Sequence, residues 1–340
     1  MVNESRLGIL TCEAGRPFAN KVLEKLLEKK EKAYLIDSKE THFANSEIKT
    51  LINESIRDTD VYVFQDVENS KLPYSVNDNY LALKTAIKAA KRSQARSIIP
   101  IIPYFPYSRQ DKSMAREGIT AAMVAREIED ISNKIDTVVT LDVHNDAIAG
   151  FFRDANLQNL HASKQIMEYI RETFNLKDIL ISSADEGSVD KANHYAKNLR
   201  CALGVIYKDR NYSKSNCDDS AIEKVTFLGD CKNKDVIIID DMICTGGTIV
   251  KNVEMLKKEK GAKSVTAACS LPLFNGPAVK RLSKAYSEGI LERVIGTDAI
   301  YHGNDFQQKN PWYKEVSVAG YFAKVIKNLT KGVSISKLLE

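Results

Sequence analysis

Short runs that are apolar at every position, each followed by apolar residues at helical spacing, recur along most of this chain and restrict its fold more than any other feature. Residues 236–239, VIII, are four consecutive β-branched residues, and Ile249, Val253 and Leu256 come after them at intervals of three and four. A strand without alternation is buried on both faces, which is the signature of a parallel sheet covered by helices. Further strands are expected at Gly8–Leu10, Val61–Phe64, Ile98–Ile102 and Val138–Asp142, then at Ile179–Ser182, Val205–Tyr207, Val265–Cys269 and Val294–Ile295. Between them run helical patterns such as Phe18, Val22, Leu23, Leu26, Leu27. The class is α/β, with two similar domains that are each a mostly parallel sheet flanked by helices. Residues 1–150 are expected to form the first domain and 151–317 the second, with a C-terminal helical segment, 318–340, packing back on the first.

A length of 340 residues suits two domains. With 44% hydrophobic and 28% charged residues and no apolar run near the roughly 18 that a membrane span needs, no membrane role is expected. The start, MVNESRLGIL, lacks a basic segment leading into a long apolar one, so a cytoplasmic location is expected. Six cysteines, at 12, 201, 217, 231, 244 and 269, never form C-x-x-C. That spacing argues against a zinc site or a redox pair and for small buried hydrophobes. The net charge of +4 comes without a Lys/Arg block, so nucleic acid is not an expected partner.

The residues immediately after the VIII run carry chemistry. Asp240 and Asp241 stand where an open parallel sheet binds ligands, beyond the carboxyl end of a strand. Gly246 and Gly247 permit a turn of consecutive N–H groups leading into a helix, and the Thr245 and Thr248 hydroxyls complete an anion cradle. No lysine precedes the Thr, so a Walker-type triphosphate site is not expected. Carboxylates beside a phosphate cradle suit a phosphorylated sugar, from whose vicinal hydroxyls they accept hydrogen bonds. A solvated Asp-Asp turn is the competing reading.

Six segments occur in order: PYFPYSRQDK (103–112), AREGIT (115–120), LDVHNDAIAGFF (141–152), SADEGSVDKA (183–192), VIIIDDMICTGGT (236–248) and PLFNGPAVKRL (272–282). With the weaker HFANSEIK (42–49), they resemble ribose-phosphate pyrophosphokinase, also called phosphoribosyl pyrophosphate synthetase, over nearly the whole chain. The resemblance implies domains of the type I phosphoribosyltransferase kind. It also implies transfer of the pyrophosphoryl group of ATP to the anomeric oxygen of ribose 5-phosphate, with Mg2+, giving phosphoribosyl pyrophosphate and AMP for nucleotide biosynthesis.

The resemblance also distributes roles. Asp240, Asp241, Cys244, Thr245, Gly246, Gly247 and Thr248 would hold ribose 5-phosphate. Arg109 and Gln110 would contact ATP, as would Phe43, Asn45 and Glu47, whose loop serves a neighbouring subunit's site in the family. A homo-oligomer built from dimers, commonly a hexamer, is implied. His144 and Asp185 match magnesium-linked positions; magnesium prefers oxygen ligands and retains water, so contact through water or in the ATP-bound state is expected for the histidine. The bland alternatives are a structural histidine and a helix N-cap. Lys208 and Arg210, just after the Val205 strand, resemble a basic catalytic loop closing on the phosphates with His144 nearby in function; a solvated polar loop is the alternative.

Three departures stand out. Cys244 occupies a position where many members have aspartate, the Pro-Asp-x-Gly-Gly pattern has become Ala184-Asp185-Glu186-Gly187-Ser188, and Val143 and Ala147 replace commoner choices. They leave room for two rival readings: a catalytically weak regulatory relative that binds phosphorylated ribose, and a phosphoribosyltransferase sharing the D-D-x-x-x-T-G-G-T loop.

Overall fold

The structure is a computed structural model that describes residues 6–69, 71–210 and 222–339. The chain divides into two compact units. The first comprises Met1–His161, Asp298–His302 and Ser317–Glu340; the second comprises Ala162–Thr297 and Gly303–Val316.

The first unit is built on a parallel sheet whose strands lie in the order Ala33–Leu35, Arg6–Thr11, Thr59–Phe64, Ser97–Ile101, Thr137–Leu141, Asn156–Leu160. In the middle, Val61 pairs with Gly8 on one side and Ile98 on the other. All six residues of Thr59–Phe64 are buried, and its Val61–Phe64 part accordingly reads as continuously apolar. Strand order reverses direction beside Arg6–Thr11, and the loops after it and after Thr59–Phe64 therefore flank a switch-point crevice. An antiparallel hairpin, Ser38–His42 with Ile48–Ile52, forms a separate two-stranded sheet. The helix Val76–Arg92 begins at a capping box in which Ser75 and Asp78 satisfy each other's backbone N–H groups.

The boundary expected at residue 150 lies instead at 161/162. Asn156–Leu160 pairs in parallel with Thr137–Leu141, but its sequence, NLQNL, is too polar to announce a buried strand. The C-terminal helix Ala319–Thr330 sits within the first unit: Phe322 meets Phe18 edge-on at 5.0 Å, and the Tyr62 hydroxyl donates to the Ile326 carbonyl at 3.3 Å. Asp298, itself buried, accepts from Lys21 at 3.2 Å and from the Val318 amide at 2.8 Å. No helix among the described residues is long and apolar enough to cross a membrane.

One buried acid in this unit sets a pH dependence. Asp66 is 1% exposed; its carboxylate accepts the Tyr301 and Glu68 amides, both at 3.1 Å, yet burial still pushes it up to about 7. A raised acid favours the folded state fully below its ordinary value of 3.8, and that contribution is lost as pH climbs through about 7. The loss is worth about 4 kcal/mol when ionisation is complete. Melting curves of the native protein should therefore shift downward between pH 5 and pH 8 by more than those of Asp66→Asn; parallel profiles would contradict this assignment.

The second unit has a seven-stranded sheet, ordered Ile222–Leu228, Ala202–Arg210, Ile179–Ser183, Asp235–Met242, Ser264–Leu271, Arg293–Thr297, Tyr313–Val316. Every pair is parallel except Ile222–Leu228 with Ala202–Arg210. Val236 and Ile238 face a core with Val253, Leu256, Phe274 and Trp312, while Ile237 and Ile239 are buried on the opposite side, as a strand in the sheet's interior requires. Ile179–Ser183 connects onward to Ala202–Arg210 on one side, and its other neighbour is Asp235–Met242, so a second switch point falls between these two.

Candidate active site

Three carboxylates converge at that second switch point. Asp185 comes just after Ile179–Ser183, and Asp240 and Asp241 close Asp235–Met242. The Ala184 amide donates to the Ile239 carbonyl at 3.2 Å, binding the two strand ends together. Backbone donors then fix both aspartates: Asp240 Oδ1 accepts the Asp241 amide at 2.9 Å, and Asp241 Oδ1 accepts the Met242 amide at 2.8 Å. Desolvation, and then the charges of Asp241 and Asp185, push the Asp240 carboxyl well above the usual range. An arrangement that makes one of its own acids reluctant to ionise is suited to receiving a cation or hydroxyl donors.

Asp185 also performs the structural task that its position allowed. Its Oδ1 accepts the Ser188 amide at 3.2 Å, and Ser188 Oγ accepts the Asp185 amide at 3.1 Å, so a capping box opens the short turn Glu186–Ser188. Capping and ligand contact are compatible, because a carboxylate has two oxygens.

Beyond Asp241 the chain makes the expected loop. Cys244 and Thr248 are half-buried, Thr245 is exposed, and Gly246 and Gly247 are buried. Gly246 has φ +73°, a left-handed conformation that strains any residue with a Cβ, and directly precedes the helix Gly247–Glu254. Arg281 Nη1 donates to the Thr245 carbonyl at 3.2 Å and fixes the loop from outside. The residues beyond that carbonyl lead into a helix N-terminus, a place where backbone amides can receive an anion.

A residue absent from the sequence reading joins this loop to the Asp185 turn. Asn252 is completely buried on the Gly247–Glu254 helix, and its Nδ2 donates to the Ala184 carbonyl at 2.9 Å while its Oδ1 has no hydrogen-bond partner. It occupies the place between Ile249, Val253 and Leu256 where helical spacing calls for an apolar side chain, and that polar intrusion is the signal that could have exposed it.

In the first unit the structure groups the remaining candidates differently. Arg109 and Gln110 are exposed beyond the Ser97–Ile101 strand, and His144 is exposed beyond its neighbour, Thr137–Leu141. A hydrogen bond of 2.6 Å from Asn145 Nδ2 to Asp111 Oδ2 draws these two loops together. Phe43, Asn45 and Glu47 form the hairpin tip: the Phe43 amide donates to the Glu47 carbonyl at 2.8 Å, and Asn45 Oδ1 accepts the Glu47 amide at 3.2 Å. The Phe43 ring is 47% exposed, as a stacking surface for a flat ligand requires.

The loop expected at Lys208 and Arg210 is corrected. Both belong to the strand Ala202–Arg210, where Lys208 pairs with Val225 and Arg210 with Ile222 across a register shift. The antiparallel partner Ile222–Leu228 extends the strand past the apolar run that ended the sequence signal at Tyr207. Their side chains, and residues 211–221, lie outside the described residues.

Comparison with known proteins converges on one family. Residues 7–131 match the N-terminal domain of ribose phosphate pyrophosphokinase, and 154–306 match a phosphoribosyl transferase domain. A ribose-phosphate pyrophosphokinase of Campylobacter jejuni is 38% identical over 89% of this chain and 91% of its own. The chain belongs to the ribose-phosphate pyrophosphokinase family. Ribose-phosphate pyrophosphokinase 2 of Enterococcus faecalis is 34% identical over 99% of this chain and 97% of its own. The fold agrees: the crystal structure of phosphoribosylpyrophosphate synthetase from Mycobacterium smegmatis superposes with a TM-score of 0.83 at 30% identity, covering 96% of this chain and all of that one. Within a ribose-phosphate pyrophosphokinase, the switch-point carboxylates and the Thr245–Thr248 loop lie in the phosphoribosyl transferase match, and the hairpin tip with Arg109 and Gln110 lies in the N-terminal match.

Proposed function

We propose that this chain transfers the pyrophosphoryl group of ATP to ribose 5-phosphate, the activity for which its family is named. One observation carries the reading: Asp185, Asp240 and Asp241 meet at a switch point beside a Gly-containing phosphate loop on the same unit. In this reading Asp240 and Asp241 accept the ribose hydroxyls, and amides around Gly246 and Gly247, with Thr245 and Thr248, hold the 5-phosphate. Cys244 fits the turn as a small neutral group. The anomeric hydroxyl is thereby held still, and positioning is the larger part of catalysis in transfers of this kind.

Arg109 and Gln110 are assigned to ATP, with Phe43, Asn45 and Glu47 supplying a neighbouring subunit, which requires a homo-oligomer built from dimers. Lys208 and Arg210 are assigned to stabilising charge on the transferred group. Clustered, mutually repelling carboxylates suit a hard cation bound through oxygen and water, so Asp185 would hold Mg2+ on its unit, and His144 is assigned to magnesium on the ATP side. Bound there, magnesium would neutralise phosphate charge. A cytoplasmic location and a place in nucleotide biosynthesis belong to the same proposal.

Calorimetry of ribose 5-phosphate binding checks the sugar assignment. Hydrogen bonds to charged groups are worth about 1.5–3 kcal/mol, so Asp241→Ala should weaken binding by roughly 10- to 150-fold with the far-UV spectrum unchanged. Equal affinity in native and variant protein would contradict it.

A further inference from the structure

The first unit holds a second group of ligating side chains that plays no part in the site above. The Arg6–Thr11 strand runs out at Cys12 and Glu13, while Glu40 and His42, two residues apart, project from one face of the Ser38–His42 strand. The ends meet. His42 Nε2 lies 2.8 Å from Glu40 Oε1 and 4.0 Å from Glu13 Oε2, and the three ligand atoms all fall within 4.8 Å of one another. The Glu13 amide donates to Glu40 Oε2 at 3.2 Å. Tyr74 stacks flat on the imidazole, with ring centroids 3.7 Å apart and planes 3° from parallel, holding the ring in orientation.

We propose that Glu13, Glu40 and His42 bind a transition-metal ion of the zinc class at the root of the hairpin. An ion pair between His42 and Glu40 would leave the group undercompensated: two carboxylates share one imidazole, and among the described residues no Lys or Arg forms an ion pair with either. The donor chemistry chooses the metal. Magnesium takes oxygen, whereas imidazole joined by two carboxylates is a donor set that zinc accepts, reached by bonds of about 2.0–2.2 Å. Three protein donors leave the fourth tetrahedral position to water. The side chains of Glu40 and His42 are only 6% and 15% exposed, while that of Glu13 is 47% exposed and supplies the path of entry. Since Phe43 directly succeeds His42, the ion would clamp the hairpin that carries Phe43, Asn45 and Glu47 to the end of the first strand. The signal escaped the sequence reading because these donors come from separate segments. The site shares no residue with those assigned to Mg2+ and stands whether or not the pyrophosphokinase reading does.

The test uses the full-length protein stripped with chelator and titrated with Zn2+ in excess Mg2+, monitored by equilibrium dialysis, and with Co2+ monitored by absorption. Native protein should retain one Zn2+ per chain, and its Co2+ form should show four-coordinate visible bands. His42→Ala should weaken Zn2+ binding at least about 100-fold, Glu13→Gln, at an exposed side chain that the fold does not need, should weaken it in the same direction, and His144→Ala should not change it. No stoichiometric Zn2+ in the native chain, or equal binding by native, His42→Ala and Glu13→Gln proteins, would each overturn the assignment.

Discussion

Asp240→Asn is expected to raise the melting temperature of the ligand-free, metal-free protein while lowering turnover at least about 100-fold. The two effects have one cause. Asp240 faces Asp241 and Asp185 at the junction of two strand ends, where withdrawal from water and like charge both oppose its ionisation. An acid raised in this way supports the fold most at low pH, and its contribution is lost as pH rises through the elevated value, so the advantage of the amide should be small near pH 4 and largest near pH 8. Substrate and metal reverse the balance, because hydroxyl donors or a cation need the charge that the empty protein resists. Calorimetric melting at several pH values, beside steady-state rates, separates the two halves. A variant with lower stability and an undiminished rate would mean that Asp240 is a structural residue.

Gly15→Ala should cost the first unit about 3 kcal/mol or more. Gly15 precedes the Arg16–Glu28 helix at the other switch point, and a Cβ there would lie 2.5 Å from the Phe64 carbonyl oxygen, 2.6 Å from its carbon and 2.7 Å from the Gln65 Cα. All three are backbone atoms of a buried strand end, so no side chain can swing aside. The close approach matters locally, because the Cys12 amide donates to the same Phe64 carbonyl at 3.0 Å and fixes how the first strand leaves the sheet. Gly150→Ala is the control: a Cβ there meets nothing within 4 Å, and its cost should stay within about 0.5 kcal/mol. Denaturant midpoints decide it, and similar values for the two variants would contradict the steric account.

The sheets were legible in the sequence wherever a strand is buried on both faces. Val61–Phe64 and Val236–Ile239 declare themselves by unbroken apolar runs, and the strand–loop–helix around Asp240 to Thr248 announced its chemistry because the residues suited to an anion cradle are contiguous. Edge and surface strands did not. Asn156–Leu160 and the Ser38–His42 hairpin arm are largely polar, since water or another element covers one face, and missing the former misplaced the domain boundary by eleven residues, 150 against 161. Lys208 and Arg210 read as loop because antiparallel pairing with Ile222–Leu228, a long-range contact, is what keeps them extended. The same limit concealed Asn252 against Ala184, Asn145 against Asp111 and Glu13 against His42, whose partners are 68, 34 and 29 residues away. Spacing along the chain reports what one element does, and these contacts join two.

Product identification by mass, after incubating the purified chain with ATP, ribose 5-phosphate and Mg2+, tests the central claim most directly. The account predicts AMP and phosphoribosyl pyrophosphate in equal amounts from the native protein, with Cys244 in place. ADP with a singly phosphorylated product, no turnover by native protein when Cys244→Asp is active, or activity only when phosphoribosyl pyrophosphate and a nucleobase are supplied would contradict it.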